Sequence, residues 1–309
     1  MNKTLKTVLF FGTDDFSAIS LRTLIAQAPS LGVIIGGVIT KPDARKGRGR
    51  TLEAPIVKTI AEAADIPVFQ PSSSDELMEA ILKSSEELPE KPLGVLVSYG
   101  RIIPQRVIDL FEPGIINVHP SLLPLYRGPS PVETAIWNGD AQTGVSIMQL
   151  SAAMDAGPVY AQETIQLTGK ETGPALLQDL GERGAALLCD TLPGILEGTL
   201  TPTPQDDTAA TYCHLLAKEQ ATLDPTQNTA EEIDRHVRAF LDFPKTKLII
   251  SGQPIVLRKV HPTATEDHNA LILTCKDNTL LCVKELIGPS GKQMSGEAFK
   301  NGYIKKETH

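Results

Sequence analysis

LGVLVSYGRIIPQRVIDLFEPGIINVH, residues 93 to 119, opens on an apolar run, turns at Tyr99-Gly100, offers a short helix after Pro104 and closes on a second apolar run. Two buried strands joined through a helix are parallel neighbours in one sheet. The pattern extends upstream: TVLFFG, FSAISLRTLIAQA, GVIIGGVIT and PIVKTIAEAA alternate strand and amphipathic helix in the same way. Near-continuous apolar strands of this kind need cover on both faces, which predicts an α/β, Rossmann-like parallel sheet. Such sheets bind ligands at the carboxyl ends of their strands. Asn117 and His119 lie at one of those ends, and the two-residue period of a strand turns both to the same face.

The remainder of the chain has a different texture. A helical stretch over 171–198 closes the first domain, and TLTPTPQDDTAAT, residues 199–211, has the proline, threonine and acidic content of an exposed linker. Beyond it, one helix around AEEIDRHVRAF precedes TKLIISG, PIVLRKV, ALILTC and TLLCVKEL, four short β-rich runs separated by Gly, Asp and Asn turns. These predict a small OB-like barrel. The expected boundaries are therefore 1–200 for the sheet domain, 201–211 for the linker and 212–309 for the barrel domain.

Of the 309 residues, 41% are apolar and 21% charged, the balance of an ordinary globular chain. The first apolar run is too short for a signal peptide or membrane span, so a cytoplasmic protein without a membrane partner is expected. Cys189, Cys213, Cys275 and Cys282 form no CxxC pair and read as reduced thiols. The net charge of −8 hides an asymmetry, because from Phe243 onward ten Lys and Arg face six Asp and Glu. A basic end on an acidic chain suggests an anionic partner docking at one place.

Three features carry chemistry. His119 is the only one of six histidines in the α/β half, hence its only side chain with an unperturbed pKa suited to acid–base work near neutrality. A hydrogen-bonded structural histidine is the plainer alternative. With no second histidine there, no metal site is expected, and the single glycine of FFGTDDF falls short of a dinucleotide fingerprint. Asp155 sits in a small-residue loop, where turn chemistry alone favours a residue capping its own backbone. Finally, TKPDARKGRGR holds Lys41, Arg45, Lys46, Arg48 and Arg50 against Asp43 on a glycine-flexible loop. It suits phosphates, or it is a solvated surface loop.

Asn-x-His-x-Ser-Leu-Leu-Pro, then Arg127-Gly128, then Asp-x-Gly-Pro with its Asp 36 residues after the histidine, resembles the 10-formyltetrahydrofolate-dependent formyltransferases. FFGTDDFSAISLRTL, PVFQP, VSYGRIIP, GDAQTGVSIMQL, LAKEQATLD, RAF and GKQMSGEAF match in the same order across both domains, most closely the members acting on methionyl initiator tRNA. The resemblance implies a Rossmann-like formyltransferase domain followed by a tRNA-binding barrel, 10-formyltetrahydrofolate as co-substrate, no metal, an initiator methionyl-tRNA partner and a monomer. It implies that Asn117 and His119 grip the oxyanion, while Asp155 keeps His119 protonated and helps move protons through a water. Ser121, Leu122, Leu123 and Pro124, with the backbone near Tyr99 and Gly100, would line the folate pocket. Arg48, with Arg45, Lys46 and Arg50, would meet the acceptor end of the tRNA. Tyr126 stands where the family commonly has Trp, and RAFLDFPKTK lacks the tryptophan often found after Arg-Ala-Phe.

Overall fold

In the computed structural model, residues 5–46, 51–86, 88, 90–265 and 270–304 are described. In chain order the first elements are β1 Lys6–Phe11, α1 Asp15–Leu31, β2 Val33–Ile39, β3 Ala44–Lys46, β4 Thr51–Glu53, α2 Ile56–Ala63, β5 Val68–Phe69 and α3 Ser74–Ser85. There follow β6 Leu93–Leu96, α4 Gln105–Ile108, β7 Ile115–His119, α5 Pro131–Asn138, β8 Gln142–Gln149, β9 Val159–Gln166 and α6 Gly173–Leu196. The last third holds α7 Ala230–Ala239, β10 Thr246–Ile250, β11 Gln253–Thr263, β12 Leu271–Thr274, β13 Leu280–Ile287, β14 Gln293–Ser295 and α8 Gly296–Tyr303.

Contacts group the chain into two units, 1–128 with 144–165 and 177–212, and 129–143 with 166–176 and 213–309. The first unit is built on a sheet of order β5-β2-β1-β6-β7-β8-β9. Pairing is parallel from β5 to β7, as the alternation of strand and helix predicts. It reverses at β8, which runs antiparallel to β7. The chain leaves β1 toward β2 on one side and returns to β6 on the other, so the sheet changes winding direction between β1 and β6. A crevice opens at such a point outside the strand ends. Here the loops after β1 and β6 are tied together, Thr13 Oγ1 donating to Tyr99 O at 3.0 Å and the Ser98 hydroxyl to the Asp14 carboxylate. Below them Leu9, Phe11, Ile39, Ile81, Tyr99, Val107 and Ile115 form a buried core that sets the height of these loops.

The second unit contains a barrel-like antiparallel sheet of order β10-β11-β13-β12 with β14 on β13. Ile233 and Val237 of α7 pack with Leu248, Ile255, Leu257, Leu281 and Phe299. Arg238, the first residue of the Arg-Ala-Phe motif, bonds Asp234 at 2.8 Å and the Glu171 carbonyl at 2.9 Å. A Cβ on Gly173 would fall 2.5 Å from Ala239 O, so that motif serves to seat the 166–176 segment.

His236 of α7 is wholly buried; its Nε2 donates to Gln220 O at 3.0 Å and its Nδ1 accepts from the Thr246 hydroxyl at 2.8 Å. Phe240 and Trp137 close over the ring edge-on. Burial outweighs the Gln220 hydrogen bond and pushes the imidazole pKa down to about 4. The unfolded chain takes up this proton near pH 6.5 and the folded chain only near 4, so between those values the unfolded state binds more protons and stability falls as pH drops. Denaturant titrations should show wild-type stability falling by ~2 kcal/mol more between pH 7.5 and 5 than that of His236→Gln. Parallel pH curves for the two proteins would contradict the burial of a neutral imidazole.

Candidate functional site

The apolar residues Ile115, Ile116 and Val118 bury β7 between β6 and β8, and this fixes Asn117 and His119 on one face at its end. Each is only 5% exposed. His119 Nε2 lies 3.0 Å from Tyr126 O. A carbonyl can only accept, so this nitrogen carries a proton and Nδ1 is the one left to act. Nδ1 faces the half-buried Asp155 carboxylate at 3.9 Å, too far for a direct hydrogen bond and within ion-pair distance of a protonated ring. The Asn117 side-chain amide has no hydrogen-bond partner among the described residues. A nearly buried, unpaired amide beside an imidazole is a polar pair held ready for a ligand.

Asp155 comes to this place because its loop is doubly constrained. Gly128 N donates to its Oδ2 at 2.8 Å. Two residues on, Gly157 passes so near β8 that a Cβ would fall 1.8 Å from Gln149 O. The Asp-x-Gly-Pro spacing therefore has a steric cause, since only glycine passes there. Asp155 has φ +47° and Tyr126 φ +56°, left-handed conformations that cost non-glycine residues energy and persist when surrounding contacts hold them.

Of the residues expected to line a folate pocket, Ser121 is fully buried and its hydroxyl donates to Leu125 O at 2.6 Å, closing the turn. Its carbonyl accepts from Ser146 Oγ at 2.6 Å, and Leu123 N donates to the same hydroxyl oxygen at 3.1 Å. Leu122 is half-buried with its methyl carbon over Gly144, where a Cβ would come within 2.5 Å of it, and Pro124 follows half-buried. Tyr99 packs into the core and its carbonyl accepts from Thr13 Oγ1 at 3.0 Å, while Gly100 turns at φ +68°. Lys41 brings its ammonium over Gly100, where a Cβ would lie 2.3 Å from Nζ.

The basic loop begins as a short antiparallel hairpin of β3 and β4, in which Arg45 pairs with Leu52 and is exposed. Lys46 ends β3, its side chain outside what is described, and Arg48 and Arg50 lie outside the described residues altogether. Lys58 bonds both oxygens of Asp43 at 3.0 Å and Gln70 joins the pair, so the one acidic residue of the loop serves its base. Those bonds hold the Asp43 carboxyl below the usual carboxylate range.

Sequence reasoning missed the segment around Gln205, read from its composition as an exposed linker. Much of it is exposed, yet Arg127, Gln205, Asp207 and Tyr212 form one bonded group beside the site. Scattered pairs of this kind leave no periodic signal. Among the described residues no group of three or more His, Cys, Asp or Glu side chains is placed to hold a metal, and no helix is long and apolar enough to cross a membrane.

The chain is 34% identical over 96% of its length to a methionyl-tRNA formyltransferase of Pseudoalteromonas translucida, covering 93% of that protein. It is 36% identical to the Janthinobacterium sp. methionyl-tRNA formyltransferase, with 96% and 97% of the two chains covered. Among solved structures, the N-formyltransferase of Helicobacter canadensis in complex with folinic acid and dTDP-3-aminofucose aligns with a TM-score of 0.67 at 18% identity, over 90% of this chain and 98% of that one. Residues 6–192 match the formyl transferase family and residues 215–304 its C-terminal domain, so the chain belongs to the formyl transferases and is an enzyme of that class.

Proposed function

We propose that the protein transfers the formyl group of 10-formyltetrahydrofolate to the free amino group of methionyl initiator tRNA, in the cytoplasm, with Asn117, His119 and Asp155 as catalytic residues. The observation that carries this reading is the juxtaposition of an unpaired Asn117 amide, a His119 ring with one nitrogen already committed to Tyr126, and the Asp155 carboxylate 3.9 Å from the other nitrogen. The relatives with about a third of their residues identical, over nearly the whole chain, support the tRNA substrate.

The chemistry follows from charge. Attack of the amine on the formyl carbon breaks the carbonyl π bond and places negative charge on oxygen. Amide and imidazole donors aimed at that oxygen are worth more in a site closed to water than in bulk, and they lower the barrier by stabilising charge that exists only in the transition state. Because Nε2 is held by Tyr126, His119 reaches the reacting centre through Nδ1, on the side of Asp155. The carboxylate balances positive charge on the ring and accepts the proton that the attacking nitrogen must lose. As the tetrahedral intermediate collapses, the bond from the formyl carbon to folate N10 breaks and that nitrogen takes up the proton the carboxylate accepted. The products are an N-formyl amide and tetrahydrofolate, with no net change in protons.

Ser121, Leu122, Leu123 and Pro124, with the backbone at Tyr99 and Gly100, form the folate-binding wall in this reading. Arg45, Lys46, Arg48 and Arg50 contact the tRNA backbone, and the catalytic unit works as a monomer. The fold shared with an amino-sugar enzyme makes a small amine the competing acceptor.

Asp155→Asn retains an oxygen to accept from Gly128 N and loses the charge. Turnover should fall by at least about a hundredfold while folate titration and circular dichroism stay near wild type. A folded variant with normal turnover would sink the assignment of Asp155. Arg48→Ala addresses the acceptor: kcat/KM for methionyl-tRNA should fall about tenfold or more with folate affinity unchanged. Its rate should also decline less steeply with salt than the wild type's, since one fewer counterion is displaced. Equal salt slopes would move a small amine ahead of tRNA.

A further inference from the structure

The segment Thr203–Tyr212 is bonded to both halves of the site. Thr203 exchanges backbone hydrogen bonds of 2.8 Å with Val159 at the start of β9. Gln205 Nε2 donates to Asp155 O at 2.8 Å and to Gly157 O at 2.7 Å, and Gln205 Oε1 accepts from Arg127 Nε at 3.0 Å and Nη2 at 2.9 Å. Every hydrogen-bonding direction of the carboxamide is used. Arg127, 2% exposed, is held in turn by Asp207 at 2.7 Å and by the Tyr212 hydroxyl at 3.3 Å. Three bonds then fasten the backbone of the neighbouring turn: Thr211 N to Pro124 O at 3.2 Å, Thr211 Oγ1 accepting from Tyr126 N at 2.8 Å, and Arg127 N to Thr211 O at 2.9 Å.

These bonds converge on two strained residues. Asp155 and Tyr126 both have positive φ, and each sets one partner of His119: the carboxylate facing Nδ1 and the carbonyl accepting from Nε2. A left-handed non-glycine residue stays in place only when its surroundings over-determine it. On the Asp155 side the carbonyls of residues 155 and 157 are both held by one side chain, Gln205.

We propose that Gln205 is a positioning residue that sets the Asp155 carboxylate opposite His119 Nδ1. The segment that follows α6 is thereby part of the catalytic apparatus as well as a connection. The proposal rests on the catalytic role of Asp155 given above. Its chemical content is an asymmetry: Gln205 must donate toward Asp155 and accept from Arg127, and glutamine alone among residues of this length does both.

Gln205→Glu keeps the acceptor for Arg127 and loses both donated bonds. With saturating folate, kcat should fall about tenfold or more, the effect of a displacement of about 1 Å at a reacting group. KM for the folate should stay within about twofold and Tm within a few degrees. Gln205→Met, uncharged, of similar length and without a donor, carries the same expectation should the glutamate variant not fold. The decisive measurement is the double variant. In an Asp155→Asn background, Gln205→Glu or Gln205→Met should cost less than about twofold more in kcat, because a residue acting only through the Asp155 charge has nothing left to position. Loss that multiplies with that of Asp155→Asn, or wild-type kcat in the single Gln205 variants, overturns the proposal and leaves the reading of Asp155 standing. Wild-type kcat in Asp155→Asn overturns both.

Discussion

A carbonyl oxygen cannot donate a hydrogen bond, and the site depends on that constraint. Tyr126 O accepts a hydrogen bond from His119 Nε2 and leaves Nδ1 facing Asp155, so one backbone group sets the ring orientation and which nitrogen faces the carboxylate. Whatever holds Tyr126 in place thereby also orients His119. The buried turn from Ser121 to Gly128 serves this end, with the Ser121 and Ser146 hydroxyls bonded inside it.

The arrangement is stabilised from outside the sheet. Parallel strands deliver Asn117 and His119 to a strand end, but β8 runs the other way, and the loop that follows it must fold back to bring Asp155 to His119. That return depends on Gly157 passing beneath the Gln149 carbonyl, on the Gly128 amide and on Gln205. Two strained residues held by surrounding contacts are a common way in which a protein fixes the geometry of a pair of functional groups.

The sheet and the pair on β7 were legible because burial and periodicity act locally. Apolar runs of the β1, β2, β6 and β7 kind have few alternatives, and the two-residue period places Asn117 with His119 without further information. The β3–β4 pairing left a weaker signal, since short, exposed strands such as Thr51–Glu53 lack an alternating face. The role proposed for Asp155 comes from resemblance, as turn chemistry alone favours a capping residue. Gln205 was invisible: its partners lie 48 to 78 positions away, and proline- and threonine-rich composition reads as linker whether or not one side chain in it is anchored.

In the proposed reaction this site formylates the amine of an aminoacylated initiator tRNA. Purified protein given 10-formyltetrahydrofolate should place formyl on methionyl initiator tRNA, at a rate well above that on the elongator methionyl-tRNA, with one tetrahydrofolate formed per formyl transferred. Tetrahydrofolate released with no formyl on the tRNA, or faster formylation of an amino sugar nucleotide than of the tRNA, would contradict it.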